Sequence, residues 1–218
     1  MKVHIGCGRT LIPGFINVDN SPSALLAKCN KLVLALFKKA SLINEEQMEF
    51  ALELKRRKKE FLRSDCLKMP IKNDSAEICY SSHMIGWCLS HDQLIAFIRE
   101  LHRILQPGGG LRLSFMDFDQ LVREFQEHKN TILFSKHMPP FGLDEATFRN
   151  KLNFLISPNK QNGLVLNGDT LKMLLERYGF CDVRVLTVGE TSFPRELIGG
   201  IDLSERPNNS VYMECRKA

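Results

Sequence analysis

The stretch KVHIGCGRTLIPGFINVDN, residues 2–20, constrains the fold of this chain more than any other. A short strand-like run, Val3–Ile5, leads directly into the turn Gly6-Cys7-Gly8, and a second run, Phe15–Val18, leads to Asp19. Glycine lets the backbone approach a ligand closely, because it has no Cβ and tolerates positive φ. Two buried strands that end in a glycine turn and a carboxylate can hold a nucleoside, whose ribose hydroxyls donate to the carboxylate.

Two common phosphate-binding motifs do not fit this stretch. The G-x-G-x-x-G fingerprint needs a third glycine where this chain has Leu11, and its acidic residue normally follows about 20 positions on. Asp19 comes much sooner, and Leu11–Gly14 leaves almost no room for a helix whose N-terminus would bind a pyrophosphate. No G-K-[ST] sequence occurs, which excludes a P-loop. The residues alone therefore leave the identity of the nucleoside open.

Length and composition indicate a single domain over residues 1–218. The chain has 218 residues, of which 44% are hydrophobic, enough for a full core without disulfide or metal staples. The N-terminus does not resemble a signal sequence, and no apolar run of about 18 residues predicts a membrane span. Seven cysteines without a C-x-x-C pair argue against a disulfide framework, and no metal site is predicted. We expect a cytoplasmic protein in which Cys79, Cys181 and Cys215 are small core residues.

Two helices are predicted between the second and third strands. The first follows Ser21, where Leu25, Leu26, Cys29, Leu32 and Leu36 recur at helical spacing. The second begins after Asn44, a suitable N-cap, and contains Met48, Ala51, Leu52 and Leu54. It carries the basic run Lys55–Lys59, which can bind nucleic acid. Glutamates share this helix and aromatic residues are not interleaved, so a solvated face is the better interpretation.

The remaining strands alternate with helices, which is typical of an α/β fold. Strands are predicted at Phe61–Arg63, Ile78–Ser82, Leu111–Phe115, Val183–Val188 and Val211–Cys215. A helix is predicted over Asp92–Gln106 and stops at Pro107-Gly108-Gly109-Gly110, and another starts at Gly168 or Asp169. Asp117 follows the fifth strand, where we expect it to cap a helix rather than to contact a substrate.

Several blocks, in order along the chain, resemble the class I S-adenosylmethionine-dependent methyltransferases, specifically the methyltransferase type 11-like group. They read HIGCGRTLIPGFINVDN, SDCLKMPIKNDSAEICYSSHMI, FIRELHRILQPGGGLRLSFMDF, LLERYGFCDVRV and NNSVYMECRK. The resemblance implies a Rossmann-like sheet of seven mostly parallel strands with helices on both faces and an antiparallel last hairpin. It implies S-adenosylmethionine as the cofactor and methyl transfer as the activity.

The resemblance also assigns roles to individual residues. Gly6, Cys7 and Gly8 would offer their backbone to the methionine end of the cofactor, with His4 beneath them and Asn20 beside Asp19. Asp19 would hold the ribose, and Asp65 and Cys66 would hold the adenine. Ser81 and Ser82 would border the methyl group beside His83, the candidate catalytic base. The residues placed at the cofactor are His4, Gly6, Cys7, Gly8, Asp19, Asn20, Asp65, Cys66, Ser81 and Ser82.

The chain departs from the related pattern at two places. His4 stands where many methyltransferases have an acidic residue, which predicts a weaker or water-mediated contact to the cofactor ammonium. The related S-S-H-V-L-E-H motif reads Ser81-Ser82-His83-Met84-Ile85-Gly86-Trp87 here, so a Glu-His pair has become Gly86-Trp87. His83 is as compatible with shaping the pocket as with catalysis. We further expect a helical insertion at about 22–60 and a lid-like insertion at about 130–166.

Three functions are compatible with these observations. The first is methylation of a small-molecule or carbohydrate-like hydroxyl, because no appended RNA-binding or protein-binding module is evident. The second is a regulatory protein that binds the cofactor without turnover, which the loss of the Glu-His pair suggests. The third is an RNA methyltransferase, suggested by the net charge of +5 and by Lys55–Lys59, although a nucleic-acid partner is the less favoured interpretation. The oligomeric state is not predicted.

Overall fold

A computed structural model describes residues 1–88, 90–120, 122–123, 166–204 and 210–218. Within them, seven strands form one sheet in the order β3-β2-β1-β4-β5-β7-β6. The strands are β1 (Lys2–Ile5), β2 (Ile16–Asp19), β3 (Phe61–Arg63), β4 (Ala76–Ser82), β5 (Leu105–Met116), β6 (Phe180–Leu186) and β7 (Ser210–Lys217). All neighbouring pairs are parallel except those that involve β7, which is antiparallel to both β5 and β6. The predicted fold class, including the antiparallel last hairpin, is confirmed.

Seven α-helices have both ends in the described ranges, and residues 118–120 and 122–123 belong to a further one. The seven are α1 (Pro22–Leu25), α2 (Lys31–Lys39), α3 (Glu45–Arg56), α4 (Ile85–Cys88), α5 (His91–Ile104), α6 (Gly168–Arg177) and α7 (Arg195–Ile198). Asn44 caps α3 as predicted, and its side chain accepts from the Gln47 N–H at 2.8 Å. The lid-like insertion predicted at about 130–166 lies outside the described residues, apart from Leu166.

Four predicted strands, β4 to β7, begin earlier in the structure than the sequence pattern indicated, and the difference is largest for β5 and β6. β5 starts at Leu105 rather than Leu111, because Leu105 pairs with Ala76 before the ladder shifts and resumes at Gly110. α5 ends at Ile104, two residues before the predicted end at Gln106, and the Pro107–Gly110 segment forms an irregularity inside β5. β6 begins at Phe180 and ends at Leu186, since Phe180 already pairs with Lys217.

Each face of the sheet is covered in a different way. One face carries Val3, Ile5, Cys79 and Leu113 and packs against α5 and α6 in the main core. On the opposite face, α1 and α3 cover the β2–β3 side through Ala24, Phe50 and Leu54. The rest of that face packs against the connection between β6 and β7, through Phe193, Ile198 and Ile201.

The connection between β1 and β2 explains this arrangement. Residues 6–15, all of which the structure describes, contain no helix, whereas parallel neighbours are usually joined through one. Ile12 and Phe15 of this loop pack directly on the β6–β7 connection together with Ile78 and Tyr80. A segment from far along the chain therefore occupies the space that a first crossover helix would fill.

The sequence interpretations of the leucine pattern and of Cys181 need correction. Leu32 and Leu36 are 69% and 56% exposed, and α2 instead buries Leu34, so the leucine pattern does not mark the buried face. Cys181 is exposed rather than a core residue, because its strand β6 lies at the sheet edge, whereas Cys79 and Cys215 are buried.

The basic run at 55–59 is only partly a solvated face. The Lys55 ammonium donates to the Cys29 carbonyl, and the Arg57 guanidinium donates to the Leu11 carbonyl at 2.9 Å. Two of its cations thus tie α3 to neighbouring loops. No helix among the described residues is both long enough and apolar enough to cross a bilayer.

Candidate active site

A cavity of about 630 Å³ opens at the carboxyl ends of β1, β2, β3 and β4. Its volume lies within the range usual for small-molecule sites, and its position is where open α/β sheets bind ligands. The predicted residues that line it are His4, Gly6, Cys7, Gly8, Asp19, Asn20, Asp65, Cys66, Ser82 and His83. The structure therefore brings together residues from four strand ends, separated in sequence by up to about eighty positions, around one space.

The glycine turn after β1 has a backbone that only glycine adopts without strain. Gly6 and Gly8 have φ of +68° and +51°. A Cβ on Gly6 would lie 2.6 Å from the Met84 Sδ, so the turn has no space for a side chain there. The Gly6 and Cys7 N–H groups both donate to the Val18 carbonyl, at 2.9 and 3.1 Å. These bonds hold the turn against β2, so both N–H groups are committed within the protein.

Asp19 holds the same turn from the tip of β2. Its Oδ2 accepts from the Gly8 N–H at 2.8 Å, and its Oδ1 accepts from the Ser21 N–H at 2.6 Å. Each carboxylate oxygen has a second lone pair, so these bonds leave acceptor capacity toward the cavity. Burial and the Asp19 charge raise the pKa of the Cys7 thiol, which keeps it neutral.

The floor of the cavity is a buried polar row that crosses the sheet. His4 pairs in register with Asn17 on one side and Tyr80 on the other, and its ring stacks on Tyr80 at a centroid distance of 5.0 Å. The Asn17 Nδ2 donates to carbonyls of Ile12, Phe15 and Glu60, while its Oδ1 accepts from the Ile12 N–H. This pattern fixes the amide orientation, so the His4 Nδ1, 3.1 Å from the Asn17 Oδ1, is the donor in that contact.

The end of β3 supplies the residues predicted to bind adenine. Asp65 is exposed and uses its Oδ1 to accept from the Leu67 N–H at 2.9 Å, which closes a tight turn. Cys66 is half-buried beside it. The Ser64 N–H donates to the Asp19 carbonyl at 3.3 Å, so this turn is held next to the ribose-side acid.

Ser81 and Ser82 lie on opposite faces of the sheet, because side chains alternate along a strand. Ser82 lines the cavity and its Oγ lies 3.0 Å from the Ser114 Oγ. Ser81 does not line the cavity: it is 2% exposed and aligns with Ile5 and Leu113 on the face that carries the main core. The structure thus places every predicted cofactor residue at the cavity except Ser81.

His83 follows β4 in a conformation that is unusual for a residue with a side chain. Its φ is +50°, and its N–H donates to the Ser114 carbonyl at 2.7 Å. Its Nε2 lies 3.0 Å from the Ser210 Oγ on β7. Left-handed backbone at non-glycine residues is concentrated at functional sites, where surrounding contacts hold it in place. Here β5 holds the His83 backbone and β7 contacts its imidazole at the cavity.

Several lining residues were not predicted from the sequence. They are Arg9, Thr10, Ile12, Val18, Ser21, Ser64, Tyr80, Met84, Gly200 and Asp202. Tyr80 could have been inferred from the sequence, because it lies two positions before Ser82, on the same face of β4, and pairs with the predicted His4. Gly200 and Asp202 come from the β6–β7 connection, and no local pattern marks them.

Asp117 lies at the end of β5 and does not line this cavity. Its Oδ2 accepts from the Gln120 N–H at 3.2 Å, so the predicted capping role is confirmed. Burial raises the pKa of the Asp117 carboxyl.

Comparisons with known proteins agree with this geometry. Residues 39–113 match the family model described as a methyltransferase domain. The chain is 27% identical over 89 residues to the malonyl-[acyl-carrier protein] O-methyltransferase of Pectobacterium atrosepticum. That match covers 39% of this chain and 34% of the relative, so the chain spans about a third of its length.

Solved structures of low identity share the fold. An S-adenosylmethionine-dependent methyltransferase of Thermotoga maritima, described as a possible histamine N-methyltransferase, has a TM-score of 0.52 and 18% identity, covering 100% of this chain and 82% of its own. Human N-acetylserotonin methyltransferase in complex with S-adenosylmethionine has a TM-score of 0.52 and 14% identity, covering 100% of this chain and 47% of its own. At these identities the likeness concerns the fold alone.

Proposed function

We propose that this chain, which belongs to the class I methyltransferases, binds S-adenosylmethionine in the cavity at the ends of β1–β4 and transfers its methyl group to an acceptor. The observation that carries the proposal is the turn at Gly6–Gly8, held against Asp19 in one wall of a nucleoside-sized cavity.

The residues present fit this cofactor in shape. A Cβ at Gly6 would collide with the Met84 side chain, so the turn can pack against Met84 in the wall of the cavity only with an unsubstituted backbone. Asp19 accepts the ribose hydroxyls with the lone pairs that Gly8 and Ser21 leave unused. Asp65 and the backbone of Cys66 lie at the far end of the cavity, where they bind the adenine.

The residues present also fit the cofactor in charge. S-Adenosylmethionine carries a sulfonium, which activates the methyl group for direct displacement. The cavity is lined by the carboxylate residues Asp19, Asp65 and Asp202, which suit a cation. The Gly6 and Cys7 N–H groups, which would favour an anion, are already committed to Val18. The protein contributes mainly alignment of the two reactants, which can supply much of the rate.

The acceptor that we propose is a hydroxyl on a small molecule or carbohydrate. His83 borders the cavity next to Ser82, and an imidazole is the side chain best suited near neutral pH to take the proton that an alcohol loses during transfer. RNA is less favoured as an acceptor, because Lys55 and Arg57 of the basic run are committed to backbone carbonyls of the protein.

Calorimetry with S-adenosylmethionine and S-adenosylhomocysteine tests cofactor binding, with NADH and ATP as competing candidates. A ligand at 100 times its Kd should raise the free energy of unfolding by about 2.7 kcal/mol. Asp19→Ala should abolish most of this binding, and Asp19→Asn, which keeps one acceptor oxygen, should retain part of it. Asp92→Ala is the control, because the Asp92 side chain is fully exposed on α5.

A panel of hydroxyl, amine, carboxyl and RNA acceptors with radiolabelled S-adenosylmethionine tests the transfer. Label on hydroxyl acceptors that falls in His83→Ala supports the proposal. Tight binding of the cofactor without label on any acceptor class would instead identify a regulatory protein, and binding of NADH or ATP alone would refute the assignment.

A further inference from the structure

The β6–β7 connection contributes a carboxylate to the cavity. Gly200 and Asp202 line the same space as the glycine turn, although they lie almost two hundred positions away in sequence. The connection reaches this place because residues 6–15 form no helix, and the face beside β1 and β4 is open to it. Its contribution is therefore a result of the topology of this chain.

A set of buried contacts fixes the connection in place. Glu214 of β7 is fully buried, and its two oxygens accept from the Thr191 Oγ1 and from the Ser192 N–H and Oγ at 2.6–2.7 Å. Arg112 of β5 pairs with Glu214 at 2.6 Å and donates to the Glu190 carbonyl at 2.9 Å. These bonds anchor the start of the connection to the sheet.

Further contacts anchor the end of the connection. The Lys2 ammonium donates to the Glu196 carbonyl. A Cβ on Gly200 would lie 3.5 Å from the Ile12 Cγ2, which puts Gly200 in van der Waals reach of the loop that follows the glycine turn. These contacts hold the segment before Asp202, and the Leu203 carbonyl directly after it accepts from the Gly189 N–H at 2.8 Å.

The carboxylate of Asp202 is organised and has capacity to bind a cation. Its Oδ1 accepts from both the N–H and the Oγ of Ser204 at 2.9 Å, which orients the side chain. In the part of the chain that the structure describes, no donor contacts the Oδ2. An exposed, oriented carboxylate oxygen at the edge of a cavity is suited to a charge-assisted hydrogen bond with an ammonium group.

The position of Asp202 in the cavity identifies the part of the ligand that it meets. Asp65 follows β3 and marks the adenine end of the cavity. In the sheet, β2 and β1 lie between β3 and β4. Gly200 and Ile201 pack beside Ile12 and Tyr80, on the β1–β4 side, opposite to Asp65. A cofactor whose adenine met Asp65 would have its amino-acid end on this side.

His4 cannot supply the negative charge that this end of the cofactor requires. The imidazole is neutral or cationic, and its Nδ1 is committed to Asn17. The α-ammonium therefore needs a carboxylate from another element.

We propose that Asp202 binds the α-ammonium of the cofactor, in place of the acidic residue that His4 replaces on β1. This inference rests on the proposed function, since it assumes S-adenosylmethionine in the cavity. It makes the β6–β7 connection part of the cofactor site and Asp202 a binding residue.

Calorimetry with two ligands separates this contact from the rest of the site. One ligand is S-adenosylhomocysteine, and the other is its des-amino analogue, in which a hydrogen replaces the α-ammonium. The wild-type chain should bind the first about tenfold more tightly, a difference of about 1.4 kcal/mol. Asp202→Asn keeps the oxygen that accepts from Ser204, so it should fold normally, and it should bind both ligands with equal affinity.

Glu196→Gln is the matched control, because Glu196 lies on the same connection and does not line the cavity. This variant should keep the tenfold preference. A preference that survives in Asp202→Asn, or a wild-type chain that binds both ligands equally, would overturn the role of Asp202 while leaving the proposed function intact. A wild-type chain that binds neither ligand would refute the proposed function, and the role of Asp202 with it.

Discussion

At the scale of single residues, Gly6 is the position where the smallest change should have the largest effect on the cavity. Its φ of +68° strains any other residue, and an added Cβ would meet the Cβ, Cγ and Sδ of Met84 within 2.6–2.9 Å. Met84 cannot relieve the contact by rotating its far end alone, since its own Cβ is involved. The backbone of the turn or the start of α4 must then move.

Gly6→Ala should therefore lower the free energy of unfolding by about 1–3 kcal/mol, the cost of overpacking a well-packed site. It should also weaken S-adenosylhomocysteine binding, because the displaced turn narrows the cavity. Urea unfolding and calorimetry measure the two effects. Gly14→Ala is the control, since Gly14 has a φ of +78° but no atom of the described residues lies within 4 Å of the added Cβ. This variant should affect stability without affecting binding. Equal losses of binding in both variants would contradict this explanation.

The sequence identified Gly6 and Asp19 correctly as neighbours because both sit at the ends of adjacent parallel strands and lie close in the chain. The hydrogen bond from the Gly8 N–H to the Asp19 Oδ2 joins these two strand ends, and its two residues are only eleven positions apart. It misplaced Ser81, because the motif SSH gives no indication of which serine faces the cavity. The strand period decides this, and Ser81 shares a face with the apolar Ile5 and Leu113.

At the scale of secondary-structure elements, the buried pair Arg112–Glu214 links β5, β7 and the β6–β7 connection. Both side chains have no exposed surface, and the Nε and Nη2 of Arg112 find no hydrogen-bond partner among the residues that the structure describes. Removing one member of such a pair leaves an unpaired buried charge, which is more costly than removing both.

Glu214→Ala should lower the free energy of unfolding by about 3–5 kcal/mol, the usual cost of breaking a buried ion pair. It should also weaken S-adenosylhomocysteine binding, because Thr191 and Ser192 lose their acceptor and the connection loosens. Arg112→Met with Glu214→Leu should recover much of the stability without restoring the anchor at Ser192. Chemical denaturation and calorimetry of the three proteins test this, and a double variant less stable than Glu214→Ala would contradict it.

Glu100 joins α5 to the segment between β3 and β4. Its Oε1 accepts from the Met69 N–H at 2.5 Å, and both oxygens accept from Arg103 at 2.7–2.8 Å. Burial alone would raise the pKa of this carboxyl, but the bonds from Arg103 and Met69 outweigh burial and hold it below the ordinary value of 4.5. A depressed carboxyl pKa stabilises the folded state above the unfolded-state pKa, and this contribution is lost as the pH falls through the folded-state value.

Glu100→Gln should therefore destabilise the protein at pH 7 by about 1–3 kcal/mol, the cost of leaving buried partners unsatisfied. The difference from wild type should shrink as the pH falls below about 4.5, the ordinary glutamate value from which this pKa is lowered. Urea unfolding at several pH values measures it. Glu53→Gln, which removes an exposed pair with Arg56, should change stability by less than about 1 kcal/mol. A pH-independent difference for Glu100→Gln would contradict the assigned ion pair.

The order of elements was predictable for a physical reason. Each buried strand is a short apolar run that stops at a polar residue or glycine, and α5 presents one apolar stripe between clear start and stop signals. The extension of β5 back to Leu105 was not predictable, because the pairing with Ala76 depends on a ladder irregularity around Pro107–Gly110. The contribution of Gly200 and Asp202 was not predictable either, since only the tertiary fold brings them near Ile12.

At the scale of the whole molecule, the reactivity of each cysteine thiol depends on where the fold places it. Cys79 lies on β4 in the centre of the sheet, and Cys215 lies on β7, with Leu111 of β5 between them. Burial raises the pKa of both thiols, so neither forms a reactive thiolate in the folded protein. Cys181 is exposed on the edge strand, and Cys66 is half-buried in the cavity.

Labelling with a thiol reagent, followed by peptide mass mapping, should modify Cys181 first and Cys66 more slowly. Cys79 and Cys215 should react only after unfolding. S-Adenosylhomocysteine should slow the labelling of Cys66 without changing that of Cys181, which serves as the internal control. Fast labelling of Cys79 in the folded protein would contradict the central position of β4, and an unprotected Cys66 would contradict adenine binding at the end of β3.

The loop that joins β1 to β2 without a helix has a consequence for biosynthesis. Ile12, Phe15, Ile78 and Tyr80 acquire their apolar cover from Phe193, Ile198 and Ile201. During translation the glycine turn and Asp19 leave the ribosome early, yet the apolar residues that pack beneath them stay exposed to water until residues 193–201 have emerged. A nascent chain halted before that point would carry the glycine turn and Asp19 without the apolar contacts that support them. It would depend on chaperones to shield the exposed side chains of Ile12, Phe15, Ile78 and Tyr80.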